Sequence, residues 1–149
     1  VASALREAHG MGLVHRDLQP ANVRVTYEGR VVILDYGLAT APTTDPRGAS
    51  DELVGTLPYM APEQWERHAA GPPSDWYAIG VMLFEALTGG LPFAGHGEEL
   101  LVSKRTVNAP RPGQMVTGVP GDLDDLVAAL LQIEPDQRPR CRDVTQRIA

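Results

Sequence analysis

The feature that most constrains the fold is a nearly uninterrupted apolar segment in the middle of the chain, residues 76–84. A helix that is apolar nearly all round has to be buried, because none of its sides suits water. Ser74 provides an N-cap residue before the segment, and Gly89 provides a stop after it. The segment is too short to span a bilayer, and Glu85 interrupts it. We therefore predict a core helix from Asp75 to Gly89, no membrane segment, and a fold assembled around this helix.

Composition limits the class of protein. The chain has 149 residues, of which 43% are hydrophobic and 21% charged, so a single globular domain is expected rather than a disordered or fibrous chain. The net charge of -6 argues against a general nucleic-acid-binding or anionic-membrane surface. The single cysteine, Cys141, has no internal partner for a disulfide, which fits a reducing compartment and a cytoplasmic location.

The rest of the sequence predicts a mainly α-helical chain with one small β-hairpin. Two short runs rich in β-branched residues, 23–26 and 31–34, are joined by a turn that contains Gly29 and should pair as antiparallel strands. Loops are predicted at 38–59 and 108–121, where Pro and Gly residues prevent regular structure. Helices are predicted where apolar residues recur at helical spacing. Besides the core helix, these are 1–10, 98–107, 122–133 and 140–148.

Polar residues with chemical capacity are concentrated just before and after the predicted hairpin. Asp17 and Asn22 lie on either side of Pro20, which favours an extended loop in which both side chains face one site. The hairpin should carry Asp35 back beside Asn22. A carboxylate and an amide oxygen brought together are hard ligands of the kind that Mg²⁺ accepts, along with water and substrate phosphates. Asp17 then remains as a base or an orienting group.

Three motifs, in this order, resemble the signature of a known family. The run His15-Arg16-Asp17-Leu18 with Asn22, followed by Asp35-Tyr36-Gly37 and then by Ala61-Pro62-Glu63, resembles the catalytic domain of eukaryotic-type (Hanks-type) serine/threonine protein kinases. The resemblance covers residues 1–149 as one domain, the C-terminal lobe. It implies a protein-kinase-like α+β fold lacking its N-lobe, because nothing here matches that lobe's Gly-rich loop, strand lysine or helix glutamate. We therefore expect a fragment that is inactive on its own.

The resemblance implies transfer of the γ-phosphoryl group of ATP to Ser and Thr hydroxyls of a protein substrate, with ATP and Mg²⁺ as cofactors. Asp17 would orient the hydroxyl and accept its proton, while Asn22 and Asp35 would hold Mg²⁺. Gln19 stands where serine/threonine members usually carry lysine, and a neutral amide should slow the transfer. Thr56 would hydrogen-bond Asp17 beside the wall on which the peptide substrate lies, or would only cap a turn.

The resemblance assigns structural or regulatory roles to the remaining motif residues. Asp75 would accept backbone hydrogen bonds from the catalytic loop, or would be only a helix N-terminal charge. Glu63 would pair with a buried Arg138, unless the two are unrelated surface charges. Glu52 occupies a place that many members phosphorylate. Glu52 or the adjacent Asp51 would partly replace the phosphate that docks on Arg16, or both are solvated loop carboxylates. The residues that would support the site without reacting are His15, Tyr36 and Gly37.

Two other functions remain open from the sequence. A pseudokinase or truncated scaffold, which binds a partner protein without catalysis, is favoured by Gln19 and by the absence of N-lobe motifs from this sequence. A metal-dependent phosphohydrolase could use Asp17, Asn22 and Asp35, but no motif after Tyr36 supports it.

Overall fold

The computed structural model describes residues 1–35, 56–65, 70–140 and 143–144. Over these ranges the fold is mainly helical with one two-stranded antiparallel sheet, which confirms the predicted fold class. Short 3₁₀ turns occur at Pro20–Asn22 and Pro135–Gln137. The helices are α1 (Ala2–Gly10), α2 (Pro62–Trp65), α3 (Pro72–Thr88), α4 (Gly97–Thr106), α5 (Pro112–Met115) and α6 (Gly121–Leu130), and the strands are β1 (Val23–Val25) and β2 (Val31–Ile33).

The predicted core helix is α3, and the described core is built on it. Its aromatic residues Trp76, Tyr77 and Phe84 are almost completely buried. Gly80 lies against α6, where a Cβ atom would come within 2.8 Å of the Leu130 Cβ atom. Glycine therefore allows α3 and α6 to approach closely, and the apolar stripe of α6 completes the core. Gly89 ends the helix in the left-handed conformation, with φ of 76°, as its lack of a side chain permits.

The beginning of α3 was predicted incorrectly. The helix begins at Pro72, with Gly71 as its N-cap, so Ser74 is already inside the first turn. Proline fits the first helical position because its missing N–H would have had no partner there. The Ser74 hydroxyl instead donates a hydrogen bond to the Glu63 Oε1 atom at 2.8 Å. Ser74 thus connects α3 to α2 rather than capping its own helix.

The predicted loop at 108–121 was also only partly right, because it contains helix α5. Pro112 suits the first helical position, and the Gln114 side chain accepts a hydrogen bond from the Arg111 backbone N–H at 3.0 Å. The predicted final helix, 140–148, lies mostly outside the described residues. Val144, within it, is completely buried and joins the main core cluster.

The hairpin brings the end of β2 back beside the loop before β1. The strands pair Val23 with Ile33 and Val25 with Val31. Just outside this register, the Leu34 N–H donates to the Asn22 carbonyl at 2.9 Å. Asp35 therefore lies next to the segment that carries Asn22, as the sequence predicted.

Candidate active site

Asp75 holds the backbone of the loop that carries the His15–Asn22 motif. Its carboxylate, on the first turn of α3 and 1% exposed, accepts hydrogen bonds from the N–H groups of His15 and Arg16, both at 2.9 Å. The His9 Nε2 atom of α1 lies 2.8 Å from the same carboxylate. The contact expected between Asp75 and this loop is therefore present, and Asp75 is more than a helix N-terminal charge.

Arg16 adopts a backbone conformation that is unusual for a residue with a side chain. Its φ of 68° lies in the left-handed region, which costs free energy outside glycine. The turn is held on both sides, because the Arg16 carbonyl also accepts a hydrogen bond from the Gln64 Nε2 atom at 2.7 Å. The Gln64 Oε1 atom in turn accepts the Ala61 N–H at 2.9 Å. Helix α2 and helix α3 thus fix this turn together.

His15 connects the loop to the end of β2. The imidazole is fully buried, and its Nδ1 atom accepts the Asp17 N–H at 3.3 Å. Since Nδ1 accepts, the proton of the neutral ring is on Nε2, which lies 2.7 Å from the Leu34 carbonyl oxygen and donates to it. His15 therefore orients the backbone on both sides of the site and is not itself exposed for reaction.

Asn22 turns its amide so that the oxygen is the atom left for a ligand. Its Nδ2 group donates to the Asp17 carbonyl at 2.7 Å and lies 3.3 Å from the Asp17 Oδ2 atom. Asp35, at the end of the hairpin, is exposed and also adopts a left-handed backbone, with φ of 59°. An amide oxygen and a carboxylate are the donor set that suits Mg²⁺. Among the described residues, no group of three or more His, Cys, Asp or Glu side chains is placed so that it could hold a metal ion.

Gln19 lies within hydrogen-bonding distance of two predicted site residues. Its Nε2 atom lies 3.4 Å from the Asp17 Oδ1 atom and 3.2 Å from the Thr56 Oγ1 atom. The amide donates in both contacts, so Gln19 connects the carboxylate to the threonine. Asp17, Gln19, Asn22 and Thr56, which are separated by up to 39 residues in the sequence, thus form one cluster.

The predicted pair of Glu63 and Arg138 is also present. The Arg138 Nη1 and Nη2 atoms donate to the two Glu63 carboxylate oxygens at 2.7 and 2.8 Å. Burial raises the pKa of Glu63, but the hydrogen bonds and positive charge of Arg138 outweigh it, so that the pKa is lowered overall. The pair ties α2 to the segment after α6, and the reading of two unrelated surface charges is wrong.

Three expected site residues, Tyr36, Gly37 and Glu52, lie outside the described residues, and their roles stay predictions. Conversely, the sequence analysis missed His9, Gln64 and Lys104. Gln64 contacts the loop that carries the His15–Asn22 motif, His9 contacts Asp75, which holds this loop, and Lys104 contacts the segment that follows Thr56. No local pattern pointed to these three residues, because each contact joins positions that are 44 to 66 residues apart.

Comparison with known proteins agrees with this geometry. Residues 1–148 match the protein kinase domain, so the chain belongs to the protein kinase family. It is 40% identical over 139 residues to serine/threonine-protein kinase PknA of Mycobacterium tuberculosis, and 36% identical over 139 residues to PknL of the same species. It is 37% identical over 137 residues to the serine/threonine-protein kinases drp72 of Corynebacterium efficiens.

These similarities cover nearly the whole chain but only part of each relative. They include 93% of this chain for PknA and PknL and 92% for drp72. The same alignments span 31%, 35% and 26% of those proteins. Among the described residues, no helix has both the length and the apolar character needed to cross a membrane.

Proposed function

We propose that this chain is the C-terminal lobe of a serine/threonine protein kinase, which transfers the γ-phosphoryl group of ATP to Ser and Thr hydroxyls of a protein. The observation that carries the proposal is the cluster in which Gln19 joins Asp17 to Thr56 while Asn22 donates to the Asp17 carbonyl. None of these contacts favours the pseudokinase or scaffold alternative, since Asp17 and Asn22, to which we assign roles in transfer, lie together in this cluster.

Asp17 is the residue to which we assign the acceptor hydroxyl. Its carboxylate orients the hydroxyl and takes the proton as the new oxygen–phosphorus bond forms and the bond to the ADP oxygen breaks. The Asn22 oxygen and the Asp35 carboxylate would hold Mg²⁺. When bound, the metal neutralises charge on the phosphates. His15, Asp75 and Gln64 do not react, but they fix the loop so that Asp17 and Asn22 face the same space.

We assign the activity to the cytoplasm, where ATP is available and where the single Cys141 stays reduced. Residues that would contact the remaining ATP phosphates, such as a Gly-rich loop and a strand lysine, have no match in this chain. The full-length protein is therefore the right material for every activity measurement, and we expect the isolated chain to be inactive.

The first experiment measures the acceptor residue. Full-length protein is incubated with Mg²⁺, γ-labelled ATP and three peptides that differ only in carrying Ser, Thr or Tyr as the acceptor. We expect label on the Ser and Thr peptides, none on the Tyr peptide, and no transfer once EDTA has removed the metal. Equal labelling of the Tyr peptide would reject the serine/threonine assignment, and no labelling of any peptide would reject the kinase proposal.

Gln19 leads to a second prediction. A lysine at this position would still donate to Asp17 and Thr56 and would add a cation beside the transferring group, so Gln19→Lys should raise kcat roughly tenfold. Gln19→Met, which removes the donor without adding charge, is the matched control and should lower kcat. Steady-state phosphorylation of the Ser peptide measures both. A Gln19→Lys enzyme no faster than wild type would show that the neutral amide does not limit transfer.

A further inference from the structure

Lys104, on the last turn of α4, is a charged residue that is almost completely buried. Its side chain is 1% exposed, although lysine normally keeps its ammonium group in water. The Nζ atom donates to three backbone carbonyls, those of Leu57 at 2.8 Å, Pro58 at 2.6 Å and Met60 at 2.8 Å. An ammonium group has three N–H donors, and all three are used here.

All three acceptors belong to one short turn, which we call the 57–60 turn. It follows Thr56, whose carbonyl accepts the N–H groups of Tyr59 and Met60 at 3.0 and 3.2 Å. The Leu57 carbonyl also accepts the Met60 N–H at 3.3 Å, and among the described residues no backbone donor is seen for the Pro58 and Met60 carbonyls. Lys104 donates to all three carbonyls. Helix α4 therefore fixes the shape of the 57–60 turn, although the two are far apart in the sequence.

A simple packing role does not account for a buried lysine. A methionine or leucine would fill the same space without the cost of removing a charge from water. In the described part of the chain the ammonium group forms no ion pair with a carboxylate, and burial lowers the pKa of Lys104 to about 7. The three carbonyl oxygens act against this shift, because hydrogen bonds to the charged form favour it. Unlike methionine, lysine provides donors that bring three backbone carbonyls together around one atom.

The 57–60 turn leads directly into the candidate active site. Thr56 immediately precedes it, and the Thr56 Oγ1 atom accepts from Gln19, which also contacts Asp17. On its other side the turn is held by Tyr59, whose hydroxyl donates to the Glu85 Oε2 atom of α3 at 2.7 Å. Burial and this contact raise the pKa of Tyr59 to about 12, so the hydroxyl keeps its proton. A change in the shape of the turn would therefore alter the position of Thr56 most directly among the site residues.

We propose that Lys104 is a positioning residue for the protein substrate: its three hydrogen bonds hold the 57–60 turn in the shape against which the acceptor peptide lies beside Asp17. This inference rests on the proposed kinase function and adds to it a residue that touches neither substrate nor ATP. Lys104 acts through the turn, so its loss should weaken use of the peptide and leave use of ATP unchanged.

The test compares Lys104→Met with wild type in the full-length protein, varying the Ser peptide and ATP in separate titrations. Methionine keeps the length and volume of the side chain but removes the hydrogen bonds that Lys104 donates to three carbonyls. We expect the KM for the peptide to rise roughly tenfold or more, with the KM for ATP within about twofold of wild type. Amide hydrogen exchange at Leu57, Tyr59 and Met60 should become faster. Arg6→Met, which removes an exposed cation from α1, is the control and should change neither KM.

Two outcomes would overturn the inference. One is a peptide KM for Lys104→Met equal to that of Arg6→Met, and the other is an equal rise of the peptide and ATP KM values, which would indicate general damage. If Lys104→Met does not fold, Lys104→Gln decides, because its shorter amide retains two donors; an unchanged peptide KM together with unchanged exchange at 57–60 would reject the proposal. Absence of transfer by wild type would instead reject the kinase function itself.

Discussion

Replacing Asp17 by asparagine is expected to lower kcat for phosphoryl transfer by roughly 10²–10⁴-fold, the contribution of a well-placed general base. Asparagine keeps the shape of the side chain, but it cannot take the proton of the acceptor hydroxyl. The structure indicates that the local fold will tolerate the change. The backbone carbonyl of residue 17 still accepts from Asn22, and the new amide oxygen can still accept from either Gln19 or Asn22.

The measurement is autophosphorylation and peptide phosphorylation by full-length protein with Mg²⁺ and ATP. Asp136→Asn is a suitable control, because it removes an exposed carboxylate in the Pro135–Gln137 turn. We expect wild type and Asp136→Asn to have similar rates and Asp17→Asn to be far slower, with a KM for ATP close to that of wild type. If Asp17→Asn is as fast as wild type, Asp17 is not the base.

The second large effect is expected on stability rather than on rate. Arg138→Met should lower the free energy of unfolding by about 3–5 kcal/mol, because it leaves the largely buried Glu63 carboxylate without its cation. Arg138 also forms hydrogen bonds outside the ion pair. Besides its two bonds to Glu63, its guanidinium donates to the carbonyls of Gln132, Ile133 and Pro73 at 2.8, 2.8 and 3.0 Å. The loss therefore separates α2 and α3 from the segment after α6.

Urea unfolding of Arg138→Met against Arg140→Met measures this effect, since Arg140 is an exposed arginine only two residues away. Arg140→Met should unfold at nearly the wild-type urea concentration. Replacing both Glu63 and Arg138 by methionine should cost less than the sum of the single changes, because neither charge is then stranded. A single Arg138→Met variant as stable as Arg140→Met would mean that the pair contributes little.

The stability that the pair provides also has a defined dependence on pH. The pKa of Glu63 is lower in the folded protein than its ordinary value, because Arg138 outweighs the effect of burial. A lowered carboxyl pKa adds stability above the unfolded pKa, and this contribution is lost as the pH falls through the folded value. Wild type should therefore lose more stability on acidification than Arg138→Met does.

The sequence predicted those parts of the protein whose determinants are local. The apolar run around Trp76 required a buried helix, and the valine-rich runs required a hairpin. The long-range contacts of Asp75 and of the Glu63–Arg138 pair were predicted instead from the resemblance to a known family. Helix boundaries were predicted less accurately, because a proline at the first helical position can begin a helix just as a serine N-cap can. Ser74 was misassigned for this reason, and its hydroxyl serves another helix.

The contacts that the sequence did not reveal are those in which an ordinary residue meets a distant backbone. Gln64 reads as a polar residue of a short helix, yet its amide joins Arg16 to Ala61. Lys104 reads as a solvated cation in the last turn of a helix, where the helix dipole favours it. Only the folded chain brings three carbonyls around its ammonium group. Such contacts leave no periodicity or motif, so sequence patterns contain no signal for them.

The ring of Tyr77 links Arg138 to Lys104. The Arg138 guanidinium lies 4.9 Å and the Lys104 ammonium group 5.5 Å from its centroid, so one aromatic ring interacts with both cations. We therefore expect the cost of a substitution at any one of these three positions to depend on the residues at the other two. Tyr77 touches neither peptide nor nucleotide in the proposed reaction, yet a substitution of its ring should change the surroundings of both cations.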